Sequence, residues 1–137
     1  MKQIIITLLI LFALIFHCTG GQRGNNSMAS YYYLDGSANI YTVTSSTIVY
    51  DPIKPEESST GMYSGGDPYE VNISKDQYDF LKSVFEKSIN NKSGQTDLRG
   101  KGTGMIIVLP KNKSFIFEMN SAQKKEIEEA LQKVTEK

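Results

Sequence analysis

Apolar positions recur at helical spacing in two stretches of this chain and at strand spacing in much of the rest. Tyr78, Leu81, Val84, Phe85 and Ile89 follow one another at intervals of one to four, the pattern of a helix that buries one face. Ser74, with Gln77 three residues on, predicts the start of that helix through a capping box, in which each side chain satisfies an orphan backbone amide. The polar run Asn90-Asn91-Lys92-Ser93-Gly94 ends it. Ile127, Ala130, Leu131 and Val134 make a second stripe, with Lys124, Lys125, Glu126, Glu128, Glu129 and Lys133 on a solvated side. Asn120, followed by Gln123, is the expected cap of this last helix.

Between and before these helices the pattern is that of strands. Tyr31-Tyr32-Tyr33-Leu34 precedes the turn signal Asp35-Gly36. It reads either as an edge strand with two aromatic faces or as core and rim. Residues 40–50 are rich in β-branched and aromatic side chains and form a strand, or two short strands broken near Ser45-Ser46. Residues 51–66 are an exposed loop, with a short strand around Met62 and Tyr63. Pro68 opens a strand over 69–73, where Tyr69, Val71 and Ile73 alternate with Glu70 and Asn72. Residues 94–104 are a polar, glycine-rich loop. The continuous apolar run 105–109 predicts a strand covered on both faces, and 114–119 returns beside it after a turn at 110–113.

The order is strands, helix, hairpin, helix. This predicts an α+β domain with an antiparallel sheet of about four to six strands and both helices packed on one face. The other face is left solvated or closes as a partial barrel.

The N-terminus follows a different rule. Lys2 precedes an apolar run over 4–16, which ends in Ile15-Phe16-His17-Cys18. A charged start and an apolar stretch of this length describe a secretory signal. With Cys18 at its end, the segment resembles the lipobox of bacterial lipoproteins. Ile15 matches the aliphatic position of that motif, while Phe16 and His17 stand where the family has small residues. The resemblance implies that the Cys18 thiol carries a diacylglycerol, that the chain is cut just before it, and that the protein sits at the bacterial cell envelope. Thr19 follows the cysteine in place of the Asp that marks inner-membrane retention in some families, which favours the outer membrane over the inner. Two other readings are ordinary secretion, with a cut near Thr19-Gly20-Gly21, and an uncleaved anchor, although the run is shorter than the ~20 residues that span a bilayer. The organisation expected is a signal over 1–17, the lipidated cysteine and a Gly/Ser/Asn-rich tether over 18–30, and one domain over 31–137.

Composition then removes several function classes. The 15 basic and 15 acidic residues balance, so nothing attracts nucleic acid. The one Cys excludes an internal disulfide, and the one His lies in the signal. Cleavage would leave a domain with neither imidazole nor free thiol, and so without nucleophile–His pairs or zinc ligands of the usual kind. The sequence therefore predicts no catalytic set, no metal site and no cofactor. Asp51, Glu56, Glu57, Asp67 and Glu70 offer carboxylates for a hydrolase, but no spacing pairs them, and that class is disfavoured. Ser121-Ala122-Gln123-Lys124 matches a Ser-x-x-Lys tetrapeptide without its companion motifs and is better read as the start of a helix.

Two loops remain as candidates. Residues 61–69 put Met62, Tyr63 and Tyr69 among glycines, a composition suited to contact with a protein partner. Arg99 and Lys101 flank Gly100, Gly102 and Gly104 and could hold an anion, although this loop precedes a strand rather than a helix. The expectation is a non-enzymatic envelope lipoprotein. It would be held to the membrane by a lipid anchor and would bind an envelope or secreted protein, an inhibited enzyme being one concrete form. The alternative is a binder of a small ligand or envelope component. Nothing in the sequence speaks to oligomeric state.

Overall fold

The computed structural model describes residues 29–136. The expectations for the signal, Cys18 and most of the tether lie outside the described residues. Seven strands form one antiparallel sheet: β1 (Ser30–Leu34), β2 (Ile40–Val43), β3 (Thr47–Asp51), β4 (Tyr69–Asn72), β5 (Gln95–Thr96), β6 (Gly104–Leu109) and β7 (Lys113–Phe117). Their order across the sheet is β4-β3-β2-β1-β6-β7-β5. Helix α1 (Lys75–Asn90) follows β4, and α2 (Ala122–Thr135) ends the domain. The architecture is the expected α+β, with one strand beyond the expected four to six.

Two local features set the strand count. The 40–50 run divides where Thr44 folds the chain back. Its Oγ1 accepts from the amides of Ser46 and Thr47 at 3.3 and 3.0 Å, and its own amide donates to the Thr47 carbonyl at 2.9 Å. Of the two readings of this run, the pair of short antiparallel strands is the one that forms. β5 has only two residues, too few for any alternation to reveal. Its Gln95 side chain donates to the carbonyls of Ser88, Ile89 and Asn91 at 3.1, 2.9 and 2.9 Å. Those are carbonyls that the end of α1 leaves unpaired, so Gln95 caps the helix from outside. No strand forms at Met62 and Tyr63.

The capping box of α1 forms as expected. Ser74 Oγ accepts from the Gln77 amide at 3.2 Å, and Gln77 Oε1 accepts from the Ser74 amide at 2.8 Å. The cap of α2 falls one residue later than expected. Ser121, not Asn120, accepts from the Lys124 amide at 3.2 Å. Gln123 is buried and points toward the end of α1, where its Nε2 donates to the Asn91 carbonyl at 3.5 Å. It therefore joins the helix ends and is not part of a capping box.

The core lies between the helices and one face of the sheet. Tyr31, Tyr33, Val43, Ile48, Ile106 and Phe117 from the strands meet Tyr78, Leu81, Val84 and Phe85 of α1 and Ile127, Ala130 and Leu131 of α2. Burying each large side chain here stabilises the fold by roughly 1.5–3 kcal/mol before entropy is counted. The two helical stripes read from the sequence are the buried ones. β1 is the central strand, not an edge: Tyr31 and Tyr33 point into the core, and Tyr32 lies on the opposite face.

That opposite face stays open. Tyr32, Leu34, Ile40, Val49, Met105 and Ile107 are half-buried there, and the described helices cover only the first face. The expectation that β6 is covered on both sides is thus corrected. Ile106 is fully buried, but its neighbours Met105 and Ile107 border the uncovered face. Among the described residues, no helix is long and apolar enough to cross a membrane.

Candidate binding cleft

The four strands β1 to β4 each place a tyrosine at the same level of the helix-facing side. Tyr33 pairs with Tyr41, Tyr41 with Tyr50, and Tyr50 with Tyr69. Neighbouring strands lie about 4.8 Å apart, so side chains at one level are forced into contact. Successive ring centroids are 6.2, 4.7 and 4.9 Å apart, and the last pair is stacked. The row runs from the fully buried Tyr33 under α2 to Tyr69 on the outermost strand, which is 37% exposed.

Beyond Tyr33, α2 stands away from the row and leaves a cleft of about 780 Å³. Tyr41, Tyr69, Met119 and Leu131 supply its apolar surface, and Lys101 and Glu128 are among its charged groups. Glu128 accepts from the Tyr33 hydroxyl at 3.0 Å and pairs with Lys124 at 2.9 Å. This corrects the expectation that Lys124 and Glu128 belong to a merely solvated side: the Lys124 side chain is only 14% exposed. Burial raises the pKa of Tyr33, Tyr41 and Tyr50 and so suppresses their ionisation. Glu128 adds to the effect at Tyr33, as do the neighbouring phenols at Tyr41. Tyr33, Tyr41 and Tyr50 therefore stay neutral at ordinary pH and give the row an uncharged aromatic surface.

Three loops are pinned together at this end of the sheet. Asp35 accepts from the amides of Ser37 and Asn39 at 2.8 and 3.0 Å, which closes the β1–β2 turn. The buried Asn39 then ties the turn to the β3–β4 connection. Its Oδ1 accepts from the Ile53 amide at 3.1 Å, and its Nδ2 donates to Asp35 at 2.7 Å and to the Tyr63 hydroxyl at 3.4 Å. Tyr50 holds the same connection by donating to the Gly65 carbonyl at 2.8 Å. Gly65 packs so closely on Asn39 that an added Cβ would lie 2.1 Å from its Oδ1. From the other side, the Gly102 amide donates to the Gly36 carbonyl at 3.1 Å, with Gly102 at φ +82°, a conformation that favours glycine.

The candidate residues fall into distinct places. Tyr69 opens β4, in the strand expected over 69–73, and is the outer member of the tyrosine row. Met62 is 82% exposed, while Tyr63 turns back to Asn39 and remains 42% exposed. Arg99 is engaged in holding its own loop: its guanidinium donates to the Thr103 carbonyl and hydroxyl and, at 3.2 Å, to the Asp35 carbonyl. Lys101 borders the cleft and also a smaller depression of about 460 Å³ that it shares with Tyr63 and Arg99. The carboxylates do not converge. Asp51 and Glu70 lie on neighbouring strands at different levels, and Glu57 accepts from the Lys54 amide at 2.9 Å within its own turn. Among the described residues, no cluster of three or more His, Cys, Asp or Glu could hold a metal ion.

Tyr33, Tyr41, Tyr50 and Met119 were not among the sequence candidates. The break near Ser45-Ser46 carried a usable signal, because a tight turn there sets Tyr41 opposite Tyr50. Comparison with known protein families, curated proteins and solved structures finds no match to this chain.

Proposed function

We propose that this chain is an envelope lipoprotein, anchored through Cys18, whose folded domain binds another macromolecule and catalyses nothing. The observation that carries this reading is the tyrosine row opening into the cleft. Tyr41 and Tyr69 present broad aromatic surface beside Met119 and Leu131, with charges of both signs around them. Rigid aromatic side chains give large contact area at low entropic cost and dominate protein recognition. Phenols whose pKa is pushed upward stay protonated at neutral pH and are poor bases or nucleophiles, which supports binding over catalysis. The second reading is a small-ligand or envelope-component binder, favoured by a cleft volume within the ~300–1,000 Å³ common to ligand sites.

Photo-crosslinking in the native envelope separates the two. A photoreactive residue in place of Lys101 is expected to give a discrete protein adduct that the same residue at Lys82 does not give. If Lys101 yields no adduct and a metabolite or glycan instead raises the melting temperature in proportion to its concentration, the macromolecular reading fails and the second replaces it. Replacing Cys18 with serine is expected to abolish lipid labelling and detergent-phase partitioning; unchanged partitioning would refute the anchor.

A further inference from the structure

The tyrosine row ends at a sheet edge that nothing described covers. β4 pairs with β3 alone. The Ile73 amide points inward, donating to the Ser46 carbonyl at 2.9 Å. Backbone groups of an antiparallel strand alternate in direction, so Val71 and Tyr69 also point inward and Glu70 and Asn72 point outward. Among the described residues β4 has no second strand beside it, so no ladder hydrogen bond reaches the outward amides of Glu70 and Asn72. The opposite edge differs: β5 has two residues, and its Gln95 side chain is tied to α1. Unpaired edges invite another strand, and proteins usually shield them.

Two further features define what would pair with β4. A strand added beside it would lie about 4.8 Å away and place one side chain level with Tyr69, continuing the aromatic row over the cleft. The next side chain would lie level with Glu70 on the open face. This part of the chain is also acidic. Between residues 51 and 74 stand Asp51, Glu56, Glu57, Asp67 and Glu70 against Lys54 alone, although the whole chain is balanced. A basic partner is the complement.

We infer that the β4 edge receives an extended segment of a partner protein as an eighth strand, with an aromatic side chain against Tyr69 and a Lys or Arg against Glu70. Main-chain bonds to Glu70 and Asn72 supply affinity, and the alternate side chains supply selectivity. The inference rests on the macromolecule-binding reading above and names its partner class.

The test pans a displayed library of random nine-residue peptides on the full chain in detergent micelles. Peptides with an aromatic residue next to Lys or Arg are expected to be enriched. A synthetic copy of the enriched peptide should slow hydrogen exchange at the Glu70 and Asn72 amides about tenfold or more. Methylating alternate peptide nitrogens should weaken its binding by at least as much, and this control leaves the protein untouched. Glu70→Lys should turn the selection against basic residues. Enriched peptides that leave the two amides unprotected but protect residues 97–103 overturn the edge proposal while the cleft reading stands. A library that enriches nothing overturns both the proposal and a peptide-like partner. Protection of the same amides in the chain alone, rising with its concentration, assigns the edge to a second copy and also overturns the proposal.

Discussion

Two neighbouring rows of side chains cross the same face of the sheet, and their difference explains how this domain divides stability from exposure. One row runs Val71, Ile48, Val43, Tyr31 and Val108. The other runs Tyr69, Tyr50, Tyr41, Tyr33 and Ile106. They sit on the same strands, two residues apart. The first is largely aliphatic; it is closed at Ile48, Val43 and Tyr31, where the Phe85 ring of α1 lies 4.9 Å from that of Tyr31, while Val71 and Val108 at its ends are half-buried. The second is aromatic with polar tips, and only its Tyr33 end meets α2. An aliphatic row must be covered to be stable in water, whereas a tyrosine row can remain partly open because each hydroxyl can be solvated or bonded. Tyr50 bonds the Gly65 carbonyl and Tyr33 bonds Glu128, while Tyr41 and Tyr69 face the cleft.

The comparison breaks most sharply at Phe85. This side chain is fully buried against the closed row. Phe85→Ala removes a large ring from a site that strands and helix both shape, and it should cost about 3–5 kcal/mol. Chemical denaturation read by circular dichroism checks this. A cost under about 1 kcal/mol would mean that α1 does not seal the row, and the contrast between the rows would collapse.

Alkali probes both rows together. Burial, aided by Glu86, pushes the Tyr31 phenol up to about 12, and burial with Glu128 raises Tyr33 as well. In the unfolded chain these groups ionise near 10. Their contribution is fully present below that value. Above it the unfolded chain releases protons that the folded one retains, so stability falls as pH rises from about 10 through about 12. Denaturation midpoints measured across this window should drop steadily, and flat midpoints would contradict the burial of these phenols.

How much of this was legible in the sequence follows from how local each feature is. The α1 box of Ser74 and Gln77 and both helical stripes could be read, because their physics lies within a few neighbouring residues. The cap of α2 could be read only to within one position. Asn120 and Ser121 are both good caps, and it is Ser121 whose hydroxyl takes the Lys124 amide. β5 was illegible, since two residues carry no period and its anchor is the C-terminus of α1. The site was legible only in pieces. Tyr69 was picked for its loop composition, and the strand read over 69–73 also held it. Its row needs the pairing registers of three strand pairs, which no window of sequence contains. Met62 and Tyr63 were singled out beside it, yet the contacts of Asn39 draw Tyr63 away toward the neighbouring loop.

The smallest expected effect tests where the two rows meet. Tyr33 is buried as deeply as any residue of the closed row, but its hydroxyl reaches Glu128 at 3.0 Å. Tyr33→Phe keeps the ring and deletes that bond. Glu128 is 37% exposed and still holds Lys124 at 2.9 Å, so solvent and the ammonium can replace the lost donor. The cost should then be about 1 kcal/mol, the usual worth of one hydrogen bond. Equilibrium denaturation of the variant measures it, and binding of partner or peptide should be retained because Tyr41 and Tyr69 are untouched. A loss approaching that of Phe85→Ala would mean that the hydroxyl holds α2 against the sheet. The tyrosine row would then be closed core at this end, and the cleft would begin only at Tyr41.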